Sequence, residues 1–199
     1  FTTPLLPDYS FGDPAKKFAA VRKTLGRVTL DKDGKASFVT SAAPELRPPA
    51  AIRAALIGTV TETSGRPVTA LAVRSVDVYP LYVGIRCKTK IGTPGKESVF
   101  DIIAVLPDGS VRTNPATLKA TVEKTVWTSY MKRRDNGNWS YVSEAQTSQV
   151  ASGEVALSAG KGVFSFTPGD WGEYRLTVSD QQSGASSAVE FTAYESGEW

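Results

Sequence analysis

The sequence has no histidine, one cysteine and one methionine in 199 residues. Without histidine the chain lacks the commonest general base and the commonest metal ligand. A single cysteine, Cys87, excludes an intramolecular disulfide and any Cys-x-x-Cys pair. With no histidine to activate it, Cys87 reads as a small buried hydrophobe and not as a nucleophile. Long apolar runs are missing too: none approaches the roughly 20 residues that span a bilayer as a helix. Neither charge sign dominates, since 23 Lys and Arg stand against 20 Asp and Glu. The resulting net charge of +3 is too small by itself to argue for nucleic acid. No initiating Met is present; the chain opens at Phe1 and stops at Trp199, which reads as a segment of a longer polypeptide. The lack of a signal peptide therefore says nothing of compartment. What remains is a globular balance, 41% hydrophobic and 22% charged.

Strand signals dominate that balance. Val28 to Leu30, the turn Asp31-Lys32-Asp33-Gly34 and Ala36 to Val39 read as strand, turn, strand. Residues 52–61 and 67–79 flank TETSGRP, where Ser64-Gly65 and Pro67 mark a turn. Residues 97–106 end at Pro107-Asp108-Gly109. A long β-rich run, 117–131, leads to Asp135-Asn136-Gly137-Asn138 and then to Trp139-Ser140-Tyr141-Val142. Asn-Gly between two such runs is a strong hairpin signal, because both turn residues must accept positive φ. The last strands, 173–179 and 187–194, are joined by DQQSGAS.

Only Asp13 to Leu25 has a helical pattern, with Asp13 suited to an N-cap and Pro14 to the first turn. Phe18, Val21 and Leu25 fall on one helical face, and a short extended connector is the competing reading. Closely spaced strands with turn signals between them predict an all-β chain of antiparallel sandwiches. Two immunoglobulin-like sandwiches of roughly 100 residues each fill the length. The expected boundary lies at Tyr79-Pro80-Leu81-Tyr82, giving units 1–80 and 81–199, with the Pro-rich opening as a tail. Alternation places Ile102, Ala104, Val126, Tyr174, Leu176, Val178 and Phe191 in the second core. Leu56, Val60, Val68 and Val73 are expected in or near the first.

Four groups of residues could carry chemistry. Asp31-Lys32-Asp33-Gly34 begins like a calcium loop, but Ala36 and Phe38 continue as a strand and no bidentate Glu closes it. Lys132-Arg133-Arg134 with Trp139 and Tyr141 could hold a nucleic-acid strand by charge and stacking. Three cations at a hairpin tip are also what a solvated turn carries, and what discourages edge-to-edge pairing. Trp127, Trp139, Trp171 and Trp199 could stack on sugars, although aromatics in strands ordinarily fill a core or pair across strands. Asp170 and Glu173, in PGDWGEYRLTVSDQQSG, could act as an acid pair in glycoside hydrolysis if held either side of a bond. Gly169 and Gly172 bracket Trp171, so the same residues read as a tight corner that feeds a strand. Tyr174 then resembles the corner Tyr of immunoglobulin-like sandwiches, whose hydroxyl bonds back to the chain. The reading is architecture: no enzyme, and no catalytic, cofactor-binding or metal-binding residue.

Taken in order, the turn and strand motifs resemble those of the bacterial α2-macroglobulin family. GRVTLDKDGKASF and GTVTETSGRPVTA resemble its repeated Asp-x-Asp-Gly hairpins and Gly-Arg-Pro-Val turn. SVFDIIAVLPDGS, NGNWSY and GDWGEYRLTVSD resemble later strands and turns, and AVEFTAYESGEW the passage toward the domain with the bait region. The resemblance implies a large periplasmic or membrane-anchored lipoprotein that traps proteases broadly. A protease cuts the bait, the domains rearrange, and many members capture the protease through a Cys–Gln thioester. That motif sets Cys before Glu-Gln, whereas Cys87 lies in GIRCKTK, so no functional residue carries over. No segment reads as a bait, and residues 143–153 read as an exposed loop. The expected role is a non-catalytic scaffold segment just upstream of the bait-bearing domain. Its implied partners are target endopeptidases, through other parts of the protein, and neighbouring macroglobulin domains. Nucleic acid is not expected, and a membrane only through the anchor of the parent. The competing function is an immunoglobulin-like adhesive or carbohydrate-binding stalk module.

Overall fold

A computed structural model describes residues 3–40, 47–62, 65–135 and 137–194. Within them the chain forms β1 (Ser10–Phe11), β2 (Ile52–Thr61), β3 (Pro67–Val76), β4 (Tyr82–Cys87), β5 (Ile91–Gly92) and β6 (Ser98–Val105). Then follow β7 (Ala116–Arg133), β8 (Trp139–Leu157), β9 (Lys161–Phe166), β10 (Gly172–Ser179) and β11 (Ser186–Ala193). No helix occurs among the described residues. Asp13 to Leu25 forms no helix, contrary to its helical pattern; a turn closed by Lys16 N–H donating to Asp13 O leads into chain without regular structure. Phe18, Val21 and Leu25 are exposed, and a short helix without a face to bury is not stable. The Asp13 carboxylate meanwhile pairs with Arg175.

Two sheets form one sandwich. Strands β1-β4-β6-β9 make the first and β5-β11-β10-β7-β8 the second. Tyr174, Leu176 and Val178 of β10 point into the core, as the alternation predicts, and so do Ile102, Ala104 and Phe191. Phe100 and Phe191 meet across the sheets at 4.9 Å in a T-shaped pair, and Tyr174 stacks on Phe191 at 5.4 Å. Such ring pairs stabilise by about 0.5–1.5 kcal/mol beyond their buried area.

The first unit is more open than its alternation suggests. β2 and β3 pair from Ile52↔Val76 to Thr61↔Pro67 and form a two-stranded sheet. Leu56, Val60, Val68 and Val73, expected in a first core, are exposed. Alternation sets which way a side chain points; burial also needs a second layer, and none packs on this hairpin among the described residues. The Asp31–Gly34 turn does form, closed by Asp31 N–H donating to Lys35 O at 2.9 Å, but its flanks make no ladder.

The Pro-rich opening packs onto the sandwich. Ser10 and Phe11 pair with Ile85 and Gly84. A side-chain carbon at Gly84 would lie 2.7 Å from Ile103 and 2.8 Å from the Phe11 ring, so only glycine admits this packing. Gly12 N–H donates to Ser187 Oγ at 2.7 Å, and Gly12 O accepts from Ala188 N–H at 3.0 Å. Arg175 donates to the Asp13 carboxylate. The returning chain is held as well: Tyr79 donates its hydroxyl to Pro48 O at 2.7 Å.

At the other side of the sandwich β7 and β8 run on as a ribbon. β10 pairs with β7 only from Lys119 to Thr125. Val126 lies past that limit and is 48% exposed, not in the core as alternation predicts. Residues 143–153, which read as a loop, belong to β8. Their small polar side chains pair across the ladder, Ser129 with Ser143 at 2.8 Å and Thr125 with Thr147 at 3.3 Å. Val150 bulges where the register shifts opposite Val122 and Glu123. Gly137, at φ 83°, turns the tip; Asn136 and Trp199 fall outside the described residues.

Candidate functional site

The corner at residues 168–174 gathers the two carboxylates that suggested chemistry. Asp170 Oδ2 accepts from Lys124 Nζ at 2.9 Å, and Asp170 Oδ1 accepts from the Trp171 N–H at 2.8 Å. The Lys124 ammonium, followed by the backbone donor, holds the Asp170 carboxyl below the usual aspartate range. A general acid needs the opposite shift. Glu173 Oε2 accepts from the Trp127 Nε1–H at 2.9 Å. The Tyr174 hydroxyl donates to Asp170 O at 2.7 Å, which closes the corner as the sandwich motif predicts. A side chain at Gly172 would sit 2.8 Å from the Lys124 stem, and its φ of 148° also favours glycine. The Lys124–Asp170 and Trp127–Glu173 bonds thus tie the corner to β7, and Tyr174 closes it on itself.

The other candidates are engaged in similar ways. Asp31 Oδ1 accepts from the N–H groups of Asp33 and Lys35 at 3.0 and 2.8 Å, so it serves its own turn. No group of three or more potential metal ligands occurs among the described residues. Cys87 is half-buried and donates to Thr89 O at 3.2 Å. Burial pushes its thiol upward, away from the thiolate. Lys132, Arg133 and Arg134 sit at the exposed tip of the β7–β8 ribbon. Trp127, Trp139 and Trp171 are 57%, 62% and 67% exposed, so these indoles do not fill the core.

Sequence reasoning missed a charge cluster on the outer face of β4 and β6. Arg86 donates twice to Asp101 Oδ2, at 3.1 and 2.7 Å, and Lys88 Nζ lies 3.1 Å from Asp101 Oδ1. The Arg86 guanidinium also lies 5.1 Å from the centre of the Tyr9 ring in the Pro-rich opening. Its only sequence signal is the outward position of these residues on alternating strands. The Asp13–Arg175 pair, 162 residues apart, leaves no local signal at all.

Asp170, Glu173, Asp31 and Cys87 thus serve the chain's own architecture, while the indoles and the cations of the tip stay exposed. The family model for bacterial macroglobulin domain 6 matches residues 84–194, more than half of the chain, and that for the bacterial α2-macroglobulin MG5 domain matches residues 2–77. The chain belongs to the bacterial α2-macroglobulin family. An α2-macroglobulin from Xylella fastidiosa strain 9a5c is 26% identical over 191 residues, covering 94% of this chain and 12% of that protein. The chain thus spans about an eighth of that relative. Among solved structures, native E. coli α2-macroglobulin superposes with a TM-score of 0.65 at 22% identity, over 96% of this chain and 13% of that one. E. coli α2-macroglobulin activated by porcine elastase superposes at 0.61 with 26% identity, over 98% and 17%. In both α2-macroglobulin neighbours the alignment runs through the hairpin unit and the sandwich together, as its coverage requires.

Proposed function

We propose that this chain is a non-catalytic scaffold segment of a bacterial α2-macroglobulin that traps proteases. The observation that carries the reading is the succession of an MG5 and a macroglobulin 6 match along a chain whose candidate acid groups are tied into structural contacts. In this role the segment holds other domains in position, and its interfaces set how far the array rearranges. Target endopeptidases would meet other parts of the parent, which we place in the periplasm. The test is to incubate the parent and the isolated chain separately with porcine elastase. The parent should leave elastase able to cleave a small peptide substrate and unable to cleave a large protein. The isolated chain should change neither activity. Inhibition by the isolated chain, or a parent without effect, would sink the proposal.

A second reading, a carbohydrate-binding stalk, draws on the exposed indoles of Trp127, Trp139 and Trp171. Glycan-array binding by the purified chain, abolished by Trp139→Ala, would favour it over the scaffold.

A further inference from the structure

The β7–β8 ribbon projects past the end of β10 and carries a distinctive tip. Beyond Thr125 the two strands have only each other as partners, from Val126↔Gln146 to Arg133↔Trp139. Residues 126–135 are all exposed. Met131 stands opposite Tyr141, and Arg133 opposite Trp139, two positions further along. Side chains at alternate positions share a face, so Met131, Tyr141, Arg133 and Trp139 line one side of the tip. Tyr141 is 77% exposed there. Lys132 lies on the opposite side and Arg134 at the turn, so three cations and one carboxylate, Asp135, occupy the end. The turn satisfies its own backbone: Arg134 N–H donates to Asn138 O at 2.8 Å and Gly137 N–H to Arg134 O at 2.9 Å.

Carboxylates lie further back from the tip. Glu144 stands opposite Thr128, on the face away from Trp127, and takes the Tyr130 hydroxyl at 2.6 Å, while Glu173 accepts from the Trp127 indole at 2.9 Å near the base. This polarity decides between two anionic partners. A nucleic-acid strand would stack on Trp139, Tyr141 and Trp127 in turn, and so lead its phosphates to Glu173 beside Trp127. A planar anionic surface met end-on touches the cations and leaves those carboxylates in water. Trp and Tyr also settle at the headgroup level of bilayers, where Lys and Arg reach lipid phosphates.

We propose that the tip of the β7–β8 ribbon docks end-on on an anionic lipid surface through Lys132, Arg133 and Arg134, with Trp139, Tyr141 and Met131 entering the headgroup layer. The inference stands on the tip geometry and does not depend on the protease-trap reading. The test is cosedimentation of the purified chain with phosphatidylcholine vesicles and with mixed phosphatidylcholine–phosphatidylglycerol vesicles. The chain should pellet with the mixed vesicles only, and less so as salt rises. Each cation removed in K132Q/R133Q/R134Q should lower the partition coefficient about fivefold. The uncharged change W139S/Y141S should lower it about tenfold per ring, and Glu144→Gln should leave it unchanged. Equal pelleting with both vesicle types, no pelleting, or pelleting that survives the triple substitution would overturn the proposal. So would tight binding to a single-stranded oligonucleotide in a chain that ignores vesicles.

Discussion

Asp101 is the best example of a single residue whose state matters to the fold. Its burial raises its pKa, but hydrogen bonds from Arg86 and Lys88 outweigh burial and leave it below the usual aspartate value of 3.8. A carboxyl with a lower pKa in the folded state adds stability that is complete above the unfolded value. That stability is lost as pH falls through the lower folded value. Urea unfolding at neutral pH and near pH 3 should therefore show a smaller acid loss for Asp101→Asn than for the unaltered chain; equal losses would refute the pairing. Arg86 and Lys88 are themselves 41% and 52% exposed, so solvent screens the gain. Core residues act through volume instead. Leu176 is fully buried and its neighbour Thr177 faces outward. Leu176→Ala should cost roughly 2 to 5 kcal/mol, and Thr177→Ala should fall within about 0.5 kcal/mol of neutral. Equal melting temperatures for the two variants would contradict the inside–outside assignment.

Elements differ in how far local sequence could reveal them. β6, β10 and β11 were legible almost to their ends, because each is an apolar-rich run with a turn signal at its boundary; β10 alone alternates cleanly, and β6 buries both faces from Ile102 to Val105. Pro107-Asp108-Gly109 and the Asp135–Asn138 turn were legible for the same reason, and Gly109 and Gly137 both take positive φ. The length of β8 was not legible. Its Thr and Ser residues resemble a loop until cross-strand hydroxyl partners are known. Nor was the fate of Val126 or of the β2–β3 hairpin, since alternation carries no information on where the opposing layer ends. Residues 14–40 were read as a helix and a hairpin, and the ladder that would protect them is absent among the described residues. Exposed backbone outside a ladder opens at little cost and is cut first. Brief trypsin treatment should thus cleave at Lys16, Lys17, Arg22, Lys23 or Arg27 before any site in β4 to β11. Mass spectrometry should recover the sandwich as a resistant fragment. Early cuts within β6 or β10 would contradict this order.

At the scale of the whole molecule, composition and turn order were enough to reach an all-β chain of the right family. The corner was legible as architecture, from its glycines and Tyr174, but the donors of its two carboxylates were not: Asp170 accepts from Lys124 and Glu173 from Trp127. The link between the two ends of the chain was hidden, because Asp13–Arg175 and Gly12–Ser187 join residues more than 160 positions apart. That link has a mechanical consequence. Three passages of the chain meet where the hairpin unit joins the sandwich: Asp13 pairs with Arg175, Gly12 with Ser187, and Tyr79 donates to Pro48 O. A single crossing would act as a pivot. Three passages fastened side by side share the load, so a tug on the hairpin unit strains these bonds together and carries the sandwich with it.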